Sequence, residues 1–165
     1  MNKITSTPRW RRLLLAALLA GCGQAASLQA LEPAADSACA LDGMVLRDYP
    51  GAKAQIRYGD GKTDYFCDVV ELLRTMLAPE QTRGAAVPFV QDMGKADWRR
   101  PQGHWIAARA AVYVVGSRAV GSMGPTVVPF AQRADAEAFA GREGGRVLAF
   151  ADLSPATLGA PAHGH

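Results

Sequence analysis

Apolar and polar residues alternate through Ala54-Gln55-Ile56-Arg57-Tyr58, the two-residue period of a strand. Gly59-Asp60-Gly61-Lys62 is a hairpin connection, and Thr63 to Phe66 pairs back onto the first strand. The period then lengthens. Val69, Val70, Leu72, Leu73 and Met76 recur at helical spacing, with Asp68 placed to cap the helix and Pro79 to end it. A further strand runs from Val87 to Gln91. Ahead of these elements, Met44-Val45-Leu46 starts a strand. Asp48-Tyr49-Pro50-Gly51 makes a turn, because proline presets φ and glycine permits φ > 0.

A polar stretch from Gly94 to Gly103 separates this half from the next and reads as a surface loop anchored by Trp98. Ala110 to Val115 is a largely apolar, buried strand, and Val127 to Phe130 is placed to pair with it. Ala134 to Arg142 is a helix with Gly144-Gly145 past its end. Arg146 to Phe150 is a last strand, with Val147 and either Ala149 or Phe150 facing the core. Both halves therefore read β-β-α-β, without residue identity between them. That order predicts an α+β fold of two ββαβ-like halves.

The ends of the chain have a different character. Lys3, Arg9, Arg11 and Arg12 precede an apolar run from Leu13 to Ala20, too short for the ~20 residues a membrane span needs. The run closes on Leu19-Ala20-Gly21-Cys22, which looks like a bacterial lipobox with Cys22 as the lipidated residue. Gly23 follows and carries no inner-membrane retention signal, which points to an outer-membrane anchor on the periplasmic side. The expected organisation is a signal peptide over 1–22, a flexible tether over 23–37, a domain over 38–153 and a mobile tail over 154–165. Four of the 18 Lys+Arg and none of the 15 Asp+Glu fall in residues 1–22. The mature part is thus close to neutral, and no basic surface for nucleic acid is implied.

Candidate chemistry centres on sulfur. Cys39-Ala40-Leu41-Asp42-Gly43-Met44 puts a thiol and a thioether close together, with Gly43 allowing the backbone to bend both toward one point. Soft donors of this kind select Cu(I) over hard cations. The hexapeptide alone is a weak signal and reads more readily as a buried cysteine and a core methionine. Once Cys22 is lipidated, Cys39 and Cys67 remain, and a disulfide between them is open in an oxidising compartment.

Eight stretches add to this. They are C-A-L-D-G-M at 39–44, D-Y-P-G-A-K-A-Q-I at 48–56, Y-F-C-D-V-V-E-L at 65–72, F-V-Q-D-M-G-K-A-D-W at 89–98, G-H-W-I at 103–106, Y-V-V-G-S at 113–117, G-S-M-G-P-T at 121–126 and D-A-E-A-F-A at 135–140. In this order the chain resembles the NosL family of copper-binding lipoproteins, accessory to nitrous oxide reductase maturation. The likeness runs from the signal to about Leu153. Ala52 departs from it, where relatives often carry a second proline. The resemblance implies a periplasm-facing Cu(I) carrier that hands copper to the nitrous oxide reductase apoprotein as its copper–sulfide centre is assembled. It also implies a fold similar to part of organomercurial lyase.

The residue chemistry is consistent with such a carrier. Few soft ligands and an accessible site suit exchangeable binding, and they disfavour Zn(II), which prefers a closed tetrahedron of Cys and His. Cys39 is the first expected ligand and Met123, in the glycine-flanked Ser122-Met123-Gly124, the second. Met44 is the third; Met93 and His104 are lesser candidates. Met76, on the helical apolar face, is core, and Cys67 reads as a buried structural cysteine. Asp92 and Asp97 read as loop hydrogen-bonding groups, and His163 and His165 as tail residues able to bind metal loosely. Two other readings compete. A thiol-based enzyme is opposed by the lack of a C-x-x-C or a Ser/His/Asp arrangement. A lipoprotein scaffold would take up no copper.

Overall fold

Strand β1 (Ala54–Tyr58) is the middle of the first half: it pairs antiparallel with β2 (Thr63–Phe66) on one side and with β3 (Ala86–Gln91) on the other. The computed structural model describes residues 28–78 and 86–159. The signal sequence with Cys22, Pro79, and the tail with His163 and His165 lie outside the described residues. Helix α1 (Val69–Leu77) connects β2 to β3, and β4 (Trp105–Ala107) extends the sheet to the order β2-β1-β3-β4.

The second half repeats that plan. β5 (Val112–Val115) is central and antiparallel to both β8 (Val128–Phe130) and β9 (Arg146–Ala149), with α2 (Arg133–Glu143) between the last two. The expected α+β fold of two ββαβ units is present. A small ribbon, β6 (Val120–Gly121) with β7 (Gly124–Pro125), is inserted between β5 and β8. The two halves share one core. Ala54, Ile56, Phe66, Leu72 and Leu73 of the first pack in one cluster with Tyr113 and Val115 of the second. Val114, on the other face of β5, packs with Val128, Phe130 and Ala136. Burial of these side chains, at ~25 cal/mol per Å2, is the main force holding the halves together. No helix among the described residues is long and apolar enough to cross a membrane.

Several boundaries differ from the sequence pattern. Met44-Val45-Leu46 does not open a strand. Val45 makes one bridge with Ala38, and the chain passes into a 3-10 turn at Leu46–Asp48. The reason is local closure: the Cys39 amide donates to the Met44 carbonyl at 2.9 Å and the Gly43 amide to the Cys39 carbonyl at 3.0 Å, so the segment pairs with itself. β5 begins at Val112 because Ala108–Ala110 winds into a 3-10 turn whose Ala108 carbonyl accepts the Tyr113 hydroxyl at 2.6 Å.

The described part of the expected tether is fixed to the domain. Gln55, fully buried despite lying on a strand of alternating pattern, clamps Leu31: its Oε1 accepts from the Leu31 amide at 2.9 Å and its Nε2 donates to the Leu31 carbonyl at 2.8 Å. Glu32 accepts from the Gly103 amide and from Trp105 Nε1. At the other end, Leu158 is buried in the main core, so the described part of the expected tail is packed.

Candidate metal centre

The site is built on the start of α1. Asp68 is the N-cap: its carboxylate accepts from the Val70 amide at 2.9 Å, while Glu71 reaches back to accept from the Asp68 amide at 3.3 Å. This reciprocal capping box satisfies helix donors that otherwise have no partner. It also aims the Glu71 carboxylate toward the residue just ahead of the cap, Cys67. Glu71 Oε2 accepts from the Cys67 thiol at 3.4 Å and from the Cys39 thiol at 3.4 Å.

Cys39 arrives from the self-closed loop. Gly43 has φ +76°, the bend the sequence pattern anticipates, and the Ala40 amide donates to the Tyr65 carbonyl at 2.8 Å, fixing the loop to the end of β2. Asp42 closes the group, its Oδ2 3.8 Å from the Cys67 sulfur while Oδ1 accepts from the Met44 amide. One ligand atom from each of Cys39, Asp42, Cys67 and Glu71 lies within 4.8 Å of the others. Both cysteines are buried free thiols.

Burial sets the protonation of this group. It raises the pKa of both thiols and of Glu71, because desolvation penalises the charged form. Around Cys39 the backbone amides of Cys67, Leu41 and Asp42 oppose that rise, and at Cys67 the Ser122 hydroxyl does. The metal-free site therefore holds two neutral thiols at neutral pH. The same amides are positioned to stabilise the Cys39 thiolate once a cation enters.

The inserted ribbon brings Met123 to the rim. Ser122 Oγ donates to the Cys67 carbonyl at 2.6 Å and Thr126 Oγ1 donates to Asp68 Oδ1 at 2.6 Å. Gly121 lies so close to the Asp68 carboxylate and Thr126 that a Cβ there has no room. Met123 is 42% exposed and, with Leu41, Glu71 and Pro125, lines a cleft of about 460 Å3. Its location does not follow from equivalence of the two halves: Cys39 precedes β1, whereas Met123 sits in the β5–β8 connection.

Met44 is half-buried and closes the Cys39 loop through its carbonyl. Met93 packs against both hydrophobic clusters, and His104, exposed at φ +53°, contributes its carbonyl to the Asp92 amide. Neither belongs to the group around Cys39. Asp97 caps its own loop by accepting from the Arg99 and Arg100 amides. Asp92 accepts from the Gly94 and Ala131 amides and so ties the two halves. Asp42, Glu71 and Cys67, which could hold a metal ion together with Cys39, are not among the ligands expected from the sequence. The D-x-x-E capping signature at Asp68 and Glu71 is the one signal that pointed to Glu71. Nothing local distinguishes Cys67 from a core cysteine.

Two thiols, a carboxylate accepting from both, and an exposed thioether form a donor set that fits a soft cation entering from the surface. The sequence model of the NosL family matches residues 30–158. The copper-binding lipoprotein NosL of Stutzerimonas stutzeri is 41% identical over 151 residues, 88% of this chain and 79% of that protein. The copper-binding lipoprotein NosL of Achromobacter cycloclastes is 44% identical over 123 residues, 72% of this chain and 64% of that protein, just under two thirds of its length. Among solved structures, the crystal structure of the copper chaperone NosL from Shewanella denitrificans is similar with a TM-score of 0.72 and 33% identity, covering 78% of this chain and 97% of that one. The names of these relatives describe metal binding and carriage, not a reaction.

Proposed function

The chain belongs to the NosL family, and from that premise we propose that it is a copper chaperone: a membrane-anchored lipoprotein, lipidated at Cys22, that carries Cu(I) on the periplasmic side of the outer membrane. Its recipient in this reading is the nitrous oxide reductase apoprotein during assembly of the copper–sulfide centre. One observation carries the metal part of the reading: two buried thiols converge on Glu71 Oε2, and Glu71 lines a cleft with the exposed Met123. Cu(I) is satisfied by two or three soft ligands, so Cys39 and Cys67 as thiolates with Met123 make a sufficient set.

The residues divide the task. Glu71 accepts hydrogen bonds from both thiols, whose protons must leave as the metal enters. The amides of Leu41 and Asp42 then face the Cys39 thiolate. Met123, on an exposed turn, is the ligand a recipient's sulfur or nitrogen can displace first. A site half built of buried thiols and half of an accessible thioether retains copper yet releases it to a competing ligand.

The test is anaerobic competition for Cu(I) against a chromogenic chelator. Cys39→Ser and Cys67→Ser should each cost more than the roughly 10–100-fold typical of losing an outer partner of a ligand. Wild-type protein that takes up no stoichiometric Cu(I) overturns the reading. Cys22→Ser should in turn release the protein from the membrane fraction or leave its precursor unprocessed.

A further inference from the structure

Lys53 is 3% exposed and lies against the Cys67 backbone. Its backbone is locked to β3, the Lys53 amide donating to Gln91 Oε1 at 2.9 Å and its carbonyl accepting from the Gln91 amide at 3.2 Å. Its ammonium donates to the Pro50 carbonyl at 3.0 Å and to the Cys67 carbonyl at 3.2 Å. Among the described residues no carboxylate lies within ion-pair distance of it. A cation buried without an ion-pair partner is costly to keep, and two neutral carbonyls compensate it only partly. The acidic groups that act on it are, in order of strength, Cys67, Asp68, Cys39 and Glu71, which are the residues of the metal site and its cap.

Building on the copper reading, we infer that Lys53 is a buried counter-charge that biases the site toward a monovalent metal ion over a divalent one. The argument is charge arithmetic. Cys39 and Cys67 would hold either metal as thiolates. With Cu(I) the two thiolates and the metal leave one net negative charge, which the ammonium attracts. With Zn(II) the same two thiolates and the metal cancel, so the ammonium gains nothing. The ionisation of Glu71 leaves this difference intact, since it adds the same charge whichever metal enters. A single buried charge several ångströms away acts with an effective dielectric far below that of water, enough for a change on the order of tenfold. Selectivity is then set by sulfur, which prefers Cu(I), and reinforced by a fixed cation that favours the net negative charge only the Cu(I) site carries.

The experiment compares Lys53→Met, which keeps the length and removes the charge, with wild type and Lys53→Arg in full-length protein purified in detergent. Affinities for Cu(I) and for Zn(II) are measured anaerobically by chelator competition, and thermal unfolding of the metal-free forms checks folding. Lys53→Met should lose on the order of tenfold in Cu(I) affinity and hold Zn(II) within about threefold, while its thermal unfolding shows what the loss of the two carbonyl hydrogen bonds costs. Lys53→Arg should keep the wild-type preference. Lys53→Gln, which retains a donor for the two carbonyls, should shift the preference as Lys53→Met does and serves if the latter is misfolded. Equal losses for both metals would show Lys53 to be only a structural peg behind Cys67, and unchanged affinities would likewise overturn the inference. If wild type binds Cu(I) and the two metals respond alike, the inference about Lys53 falls and the copper reading stands; if wild type binds none, both fall.

Discussion

Cys39 and Cys67 donate their thiol protons to one and the same atom, Oε2 of Glu71, each at 3.4 Å. They come from different contexts, one from a self-closed loop ahead of β1 and the other from the last position before a helix cap. The meeting point is a residue whose local role is to cap a helix. A structural device of the backbone thereby fixes the two sulfurs before any metal arrives.

The methionines separate site from core. Met123→Leu keeps the volume and removes the sulfur, so Cu(I) affinity should drop while stability changes by less than ~1.5 kcal/mol. Zn(II) affinity should hardly move, because a thioether is a poor partner for it. Met93→Leu, in a side chain packed against both hydrophobic clusters, should cost a similarly small amount of stability and leave copper uptake unchanged. Copper titrations and thermal melts of the two variants, run side by side, check both statements. Equal copper retention in Met123→Leu and wild type would make Met123 a packing residue of the cleft.

Stability of the metal-free protein should fall as pH rises above about 8.5, the ordinary thiol value. Burial holds both cysteines above that value in the folded protein. Below it the thiols are protonated in both states and cost nothing. Above it the unfolded chain sheds protons that the folded protein retains, so unfolding gains. Lys53, whose pKa burial lowers, works in the opposite direction. The thiol contribution is therefore read as a difference: the loss of Tm between pH 8 and 10 should be smaller in Cys67→Ser than in wild type. Copper loading should abolish the thiol part of the loss, since the metal has already displaced both protons.

Gly121→Ala tests how Met123 is held. A methyl group at this position runs into the Asp68 carboxylate and comes within 3.1 Å of Thr126 Cβ. The ribbon must move away from α1, which strains the Thr126–Asp68 hydrogen bond and withdraws Ser122 and Met123 from Cys67. A loss of roughly 1–3 kcal/mol is expected from such overpacking. Cu(I) affinity should fall with it, whereas Gly61→Ala, a hairpin-tip change with open space around it, should cost stability alone. Denaturant unfolding and copper competition on both variants distinguish the two effects.

Periodicity and end signals were enough to place most elements. β1, β2 and α1 follow from the switch of apolar period from two to near four and from Asp68 as cap, while β5 follows from a continuous apolar run and α2 from the glycines past its end. These are local properties: each depends on residues within one or two turns of each other. Cys39 was legible as a soft ligand because thiol, glycine and thioether stand within six residues. The pairing of Cys39 with Cys67, the carboxylate between them and the lysine against the Cys67 backbone were not. Glu71 reads as an ordinary capping residue, Lys53 as an ordinary charge beside a turn, and Gln55 as the outward residue of an alternating strand. Only the closure of the loop at Cys39–Met44 onto β2, the docking of the β6–β7 ribbon on α1 and the passage of Leu31 over Gln55 turn these polar side chains inward. Such placements depend on which segments cover which faces. That is decided when the two halves bury their shared core, not by the period of any one stretch.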